Sequence, residues 1–489
     1  MNYGVWFKNP SEEVAMIKEL KDIVGSKNVL DDQETLELYS VDRSLASPKK
    51  PIAVAKPKSA EEIQELVAFA NRTLTPLVPS SSGIHFYGAT LPEQGGVVVD
   101  LSGMNKILEI DSRNRKVKIE PGVTWPQLQA ALKEHDQMAL NPLFPHPLTS
   151  ALTSSIEREP MLIPKYEYGD PVLPMQISLG NGQLFRTGTA SDAHCEGAYP
   201  EGPGIDFYRF FLGAQGTMGI VSWLNIKTEY LPKHQKAWFA GFGDLEDAAQ
   251  PIYKLQRRHV GNECFVLNRF LLAQLLAEKS GDFEKLMEDL PPYTLVTVIA
   301  GAPRRPLERI AYEEETMHEV AASLNFEMAK TVGGVSGLGT TMLDKLRNLS
   351  EGGEYWKTKF KNTTQDIFFI TTMDRAQYYT DIALGYAAAA GLNAQEIGVY
   401  MQPLERGRAC HLSFSLPCDA TCERDLARVG DLHADLSERL ISEGAFFTRP
   451  YGPWADMVYR RTTQYTAMLK ELKAVFDPNN ILNPGKLCH

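Results

Sequence analysis

The sequence has no long uncharged apolar run of the kind a membrane span requires, so no transmembrane helix is expected. Its first residues, Met1-Asn2-Tyr3-Gly4-Val5-Trp6-Phe7-Lys8, lack a basic start followed by an apolar core, so no export signal is expected either. Positive charge is in deficit: 50 Lys and Arg stand against 61 Asp and Glu, a formal net charge of −11. Such a chain is repelled by phosphate backbones and has no basic cluster to override that, so nucleic acid is not an expected partner. Cysteine is sparse, six in all, with no Cys-x-x-Cys pair. Cys410, Cys418 and Cys422 come nearest to a cluster, but a Pro-flanked turn is expected between them and argues against a shared metal. Free thiols in a reducing cytoplasm, with no metal, are the expectation. There is no internal repeat and no Gly-x-Gly-x-x-Gly run, so a Rossmann dinucleotide site is not supported.

What is present has globular composition, and 489 residues exceed one ordinary core, so two or three folded units are expected. Residues 12–25 read as an amphipathic helix with Val14, Ile17, Leu20 and Ile23 on one face. Short strands are expected at 52–55, 77–79, 97–101 and 117–120, with helices at 59–71, capped by Ser59, and at 125–134. Asn181-Gly182 between two apolar runs signals a hairpin. Beyond Pro232 two strand–helix segments follow, 238–242 with 245–258 and 367–370 with 374–390. Short strands alternating with short helices indicate an α+β or α/β architecture.

The most informative loop is Pro79-Ser80-Ser81-Ser82-Gly83-Ile84-His85-Phe86-Tyr87-Gly88-Ala89-Thr90. Its small residues let successive backbone N–H groups turn inward as a concave anion site, which a pyrophosphate fits without a cationic side chain. Alone it reads equally as an ordinary Ser/Gly loop.

Order along the chain adds weight. Pro57-Lys58-Ser59-Ala60-Glu61-Glu62-Ile63, the 80–90 loop, Val99-Asp100-Leu101-Ser102-Gly103-Met104-Asn105-Lys106-Ile107 and Glu120-Pro121-Gly122-Val123-Thr124-Trp125 come first. Gly213-Ala214-Gln215-Gly216-Thr217-Met218-Gly219-Ile220-Val221 follows, and Phe476-Asp477-Pro478-Asn479-Asn480-Ile481-Leu482-Asn483-Pro484-Gly485-Lys486 closes the chain. In this order the chain resembles the PCMH-type FAD-binding family of vanillyl-alcohol oxidase and para-cresol methylhydroxylase, which also includes glycolate and D-lactate dehydrogenases.

The resemblance implies a two-domain α+β fold: an FAD-binding domain over 1–235, a cap over 236–448 built on a mixed or antiparallel sheet covered by helices, and a return to the FAD domain over 449–489. It implies FAD as cofactor, held at Pro79, Ser80, Ser81, Ser82, Gly83, Ile84, His85, Gly88, Ala89, Gly216, Gly219, Ile220 and Asn483. His85 lies where berberine-bridge-type relatives bear a histidine bonded to the flavin. The tether position of the phenol oxidisers falls near Asp366, which is no ring side chain, so non-covalent FAD is expected, with His85 the exception to watch.

The same resemblance singles out four residues for catalysis. Arg449, in Phe447-Thr448-Arg449-Pro450-Tyr451, falls where relatives place a substrate-binding Arg, whose planar fork suits a phenolate or a carboxylate. Tyr451 shares that anchor, or is a half-buried structural Tyr. Asp170, in Tyr168-Gly169-Asp170-Pro171, corresponds to an acid near the flavin, or is a turn former. His411 shares one strand face with Ser413 and Ser415 at the floor of the substrate pocket, as base or hydrogen-bond donor, or is a structural His. Glu157-Arg158-Glu159 departs from the Gly-rich run of the relatives.

The function implied is transfer of a hydride from a small organic substrate onto flavin N5. The substrate is a 4-alkylphenol or benzylic alcohol; alternatives are a D-2-hydroxy acid, or an electron-transferring subunit of a larger complex. The electron acceptor, a separate redox protein among the candidates, is not legible, and a homo-oligomer is expected.

Overall fold

The computed structural model describes residues 10–163, 171–195, 197–352, 354–359 and 362–488. Near its start, Ser59 caps the helix Ala60–Thr73 by accepting the Glu62 N–H at 3.3 Å. The helix buries Ile63, Leu66, Val67 and Ala70, an i, i+3, i+4, i+7 stripe, against the first sheet. That sheet has the order β1 (Val29–Leu30), β2 (Ala53–Ala55), β4 (Val97–Asp100), β3 (Leu77–Ser80), and its inner pairs are parallel. The C-terminus extends it: Leu77 N–H donates to Ile481 O at 2.7 Å, and Asn483 N–H donates to Leu77 O at 2.8 Å.

The second sheet comprises β5 (Ile107–Asp111), β6 (Lys116–Ile119), β7 (Gln137–Ala139), β8 (Val172–Ser178), β9 (Leu184–Arg186) and β10 (Ile220–Tyr230). β8 and β9 form the hairpin that Asn181-Gly182 signals, with Ile177 opposite Phe185 and Gly182 at φ 84°. Trp125, fully buried, anchors its core and donates to Ser154 Oγ at 3.1 Å.

The third sheet has the order β11 (Gln235–Phe242), β13 (Tyr293–Ala300), β12 (Glu263–Asn268), β15 (Gly398–Leu404), β16 (Ala409–Cys418), β14 (Thr363–Thr371). All its pairings are antiparallel. Successive residues of β13 feed opposite layers. Leu295 and Ile299 pack with the helices Leu245–Arg257, Pro306–Leu324, Ala376–Ala389 and Glu423–Ser442. Val296 and Val298 pack with Phe144 and Leu162 and with the helices Arg269–Leu276 and Leu338–Arg347. The α+β reading thus stands, and the sheet is antiparallel rather than mixed.

Two local expectations are corrected. The first helix, Pro10–Val24, buries Met16, Leu20 and Val24, while Val14 is 69% exposed. The i, i+4, i+8 stripe wins because it faces the Ala60–Thr73 helix and β2. No turn separates Cys410 from Cys418: both lie on β16, buried, with Pro417 inside the strand. Among the described residues no three His, Cys, Asp or Glu side chains group as metal ligands, and no helix is long and apolar enough to cross a membrane.

Candidate functional site

A long cleft runs between the first two sheets and the third, walled by residues from both sides. One end is built on the loop after β3. Ser80 Oγ and His85 Nε2 lie 2.9 Å apart, Ser82 Oγ donates to Ile84 O at 3.0 Å, and Gly88 N–H donates to Asp42 Oδ2 at 2.7 Å. These bonds shape the loop from within. Among the described residues, the peptide N–H groups of the partly buried Ser82, Ile84, Phe86 and Tyr87 donate to no acceptor of the chain. Partly buried backbone donors need partners, so the loop is chemically suited to an anion, and a pyrophosphate-bearing cofactor fits it.

Pro79, Ser81, Ser82, Ile84, His85, Ala89, Gly216, Gly219 and Ile220 all line the cleft. Gly216 takes φ +70°, and a Cβ there would fall 2.3 Å from Pro79 Cγ; a Cβ at Gly219 would fall 2.3 Å from Ile177 Cγ2. Glycine is required at both because the 213–219 segment closes on β3 at Pro79 and on β8 at Ile177. At Gly83, off the cleft wall, a Cβ would meet only Leu148 at 4.0 Å. Ser80, Gly88 and Asn483 also lie behind the lining. Asn483, 1% exposed, donates to Ala89 O at 2.9 Å and Gln215 O at 2.7 Å, tying the 79–90 and 213–219 loops together. Burial pushes the His85 imidazole down, against the pull of Asp42 and Asp100, so its ring is neutral.

The wall of the same cleft also gathers Arg449, Tyr451 and His411. The segment before the helix Pro453–Tyr459 is pinned to β14, where Ile370 N–H donates to Phe446 O at 2.9 Å. This sets the Arg449 guanidinium 4.0 Å from the Phe368 ring centre. Arg449 is 5% exposed, so it is no surface residue, and Tyr451, at 6%, is buried rather than half-buried. Tyr451 stacks on Tyr87 at 5.0 Å and 15°, and its hydroxyl donates to Glu157 Oε2 at 2.9 Å. Glu157 Oε1 accepts the Gln215 N–H at 2.9 Å. Burial raises the Glu157 carboxyl, and burial with the neighbouring Glu157 raises the Tyr451 hydroxyl well above its usual value.

His411 sits on β16 beside Ser413, and burial, with Arg449 and Lys357 nearby, drives its imidazole far down. It is therefore a neutral ring that donates or accepts a hydrogen bond without competing with Arg449 for an anion. Lys357 pairs with Asp366 at 2.6 Å and donates to Ser415 Oγ at 3.3 Å. Asp170 lies outside the described residues. The residues that sequence reasoning passed over are Tyr87, Tyr355, Lys357, Phe368 and above all Glu157, all on the cleft wall. The departure at 157–159 was the one available signal for Glu157. The arrangement as a whole can hold a planar anion against a buried cation among aromatic rings.

Residues 51–152 match the FAD binding domain, and residues 455–487 match the C-terminal domain of FAD linked oxidases. The chain is an FAD-linked oxidoreductase. It is similar along its length to D-2-hydroxyglutarate dehydrogenase of Stutzerimonas stutzeri, at 26% identity over 97% of this chain and 98% of that one. It is also similar to the glycolate oxidase subunit GlcD of Bacillus subtilis, at 24% identity over 96% of each. In fold the oxidoreductase is similar to p-cresol methylhydroxylase with substrate bound, with a TM-score of 0.85 and 18% identity over 98% and 97% of the two chains. The 4-ethylphenol oxidase from Gulosibacter chungangensis gives 0.79 and 19% over the same shares. The PCMH-type FAD-binding fold and the FAD cofactor expected from the sequence motifs are those of this oxidoreductase.

Proposed function

We propose that the oxidoreductase takes a hydride from a 4-alkylphenol or benzylic alcohol, with Arg449 holding the phenolic oxygen as its anion. The observation that carries this is a buried guanidinium packed on Phe368 in a pocket walled by Tyr87, Tyr355 and Tyr451. A flat aromatic substrate finds ring surface there and one fixed positive charge at its oxygen. Bound FAD supplies the hydride acceptor. Arg449 lowers the pKa of the phenol and stabilises the anion that delocalises charge as the benzylic hydride leaves. Tyr451 fixes the oxygen by hydrogen bonding, and His411 contributes a neutral polar contact from the opposite strand. The 79–90 loop with Gly216, Gly219 and Ile220 holds the FAD without a covalent bond. Residues 1–235 and 449–489 form the unit that does so, and 236–448 form the cap; the pairing of residues 481–483 with β3 supports this division. The electrons pass to an acceptor outside the chain.

A second reading, a D-2-hydroxy acid held by its carboxylate at Arg449, is favoured by the similarity to GlcD and to D-2-hydroxyglutarate dehydrogenase. Anaerobic mixing of the FAD-loaded enzyme with 4-cresol, vanillyl alcohol, D-lactate or glycolate separates the two. Bleaching of the flavin by the phenols is expected, and bleaching by the hydroxy acids alone would overturn the first reading.

A further inference from the structure

A phenol that binds as its anion must give up a proton inside a buried pocket, and the cleft holds few groups able to take it. Burial, with the cations Arg449 and Lys357 nearby, disfavours a positive charge on His411. Lys357 is already charged and paired with Asp366 at 2.6 Å. Glu157 differs: one oxygen is fixed by the Gln215 N–H at 2.9 Å, and the other accepts the Tyr451 hydroxyl at 2.9 Å. Both Glu157 and Tyr451 line the cleft, and Tyr451 follows Arg449 by two residues, its N–H donating to the Arg449 carbonyl at 3.0 Å.

Resting on the phenolic reading above, we propose that Glu157 is the proton acceptor for substrate ionisation and that Tyr451 relays the proton to it. The phenol O–H bond breaks and its proton goes to the Tyr451 oxygen, while the Tyr451 O–H proton goes to Glu157 Oε2. The outcome is a phenolate beside Arg449, a neutral tyrosine and a neutral glutamic acid. One negative charge moves from Glu157 to the substrate, so the net charge of the buried site is unchanged on binding. That avoids expelling a proton to solvent against the charge balance of a low-dielectric pocket. The charged and titratable groups around the carboxylate are consistent with a proton moving to it. Arg158 and Arg449 favour its ionised form before binding, Tyr451 is its hydrogen-bond donor, and Glu159 and Tyr459 lie nearby. Burial raises its proton affinity toward that of the substrate.

The test uses phenol itself, which has no benzylic carbon to oxidise, as the probe for the FAD-loaded enzyme at neutral pH. Ultraviolet difference spectra report whether bound phenol is ionised. Calorimetry in two buffers of different ionisation enthalpy counts protons released. For wild type we expect a phenolate spectrum, no proton released, and an affinity independent of pH. For Glu157→Gln, and for Tyr451→Phe, which keeps the ring on Tyr87, we expect about one proton released per phenol bound. Their affinity should fall about tenfold per unit drop in pH. A wild type that releases a proton, or variants that match a wild type releasing none, would overturn the relay. Absence of the phenolate spectrum in wild type would instead overturn the phenolic reading itself.

Discussion

At the scale of single residues, Gly216 and Gly83 separate two meanings of glycine in the loops beside the cleft. Gly216 combines φ +70° with a Cβ position 2.3 Å from the Pro79 ring, so Gly216→Ala must strain the backbone and push Pro79 off the cleft wall. A loss of about 1–3 kcal/mol is expected, with weaker FAD retention. Gly83→Ala meets no such crowding and should unfold within about 0.5 kcal/mol of wild type. Chemical denaturation of both variants, with FAD content measured alongside, checks this; equal losses would show that crowding at Gly216 is not the cause. Neither position could be told from the other in the sequence, because spacing alone does not say which glycine touches a neighbouring loop. The same limit hid Glu157. Its neighbours read as an interruption of a Gly-rich run, and only the fold brings residue 451 to it.

At the scale of elements, the final helix and the residues after it act as a clasp. Lys473 Nζ donates to Asp477 Oδ2 at 2.6 Å, Thr217 O at 2.6 Å and Leu482 O at 2.7 Å. Asp477 in turn accepts the N–H groups of Ile481 and Leu482 at 3.0 and 2.7 Å. Both side chains are nearly inaccessible, so this ion pair joins the helix Thr463–Phe476, the 213–219 loop and the strand extension on β3. Lys473→Met leaves Asp477 buried without its cation and should cost about 3–5 kcal/mol. It should also speed FAD loss, read as the rise of free flavin fluorescence after dilution; unchanged stability would mean the pair is not structural. Elements with local signals were legible: the Ser59 cap, the Asn181-Gly182 hairpin, the strands at 53–55 and 97–100. The inner strands β12 and β13 of the third sheet were not. β12 and β13 are buried on both faces, so their sequences show no alternation of period two. β5 was missed for the opposite reason, being half-exposed and charged.

At the scale of the whole molecule, buried neutral histidines set an acid limit to stability. His433 stacks on Trp454 at 5.2 Å and 14°, and burial lowers its imidazole to about 4. His85 and His411 are lowered by the same cause. The unfolded chain takes up these protons first, so the stability is complete above about 6.5, the ordinary histidine value, and is lost as pH falls. For His433 the loss runs from about 6.5 down to about 4. His433→Phe keeps a ring on Trp454 and removes that proton, so its thermal unfolding temperature should fall less steeply over this window than that of wild type. Parallel curves would remove His433 from the explanation. The fold as a whole was legible because its motifs are spread in order along the chain. The site was legible only in part, because its wall is drawn from the 79–90 loop, Glu157, Tyr355, Lys357, Phe368, His411, Arg449 and Tyr451, which meet only after folding.

We propose that Arg449 ionises a phenol rather than merely holding a carboxylate. Stopped-flow reduction of the bound FAD by 4-cresol, followed against pH in wild type and Arg449→Ala, tests it most directly. The alanine variant should lose about 2–5 kcal/mol of transition-state stabilisation, seen mainly as a slower limiting rate of reduction, with its pH dependence moved upward. Arg449→Lys, which keeps the charge without the planar fork, should fall between the two. Wild-type rates in the alanine variant, or a loss confined to substrate binding with the pH profile unmoved, would contradict the account.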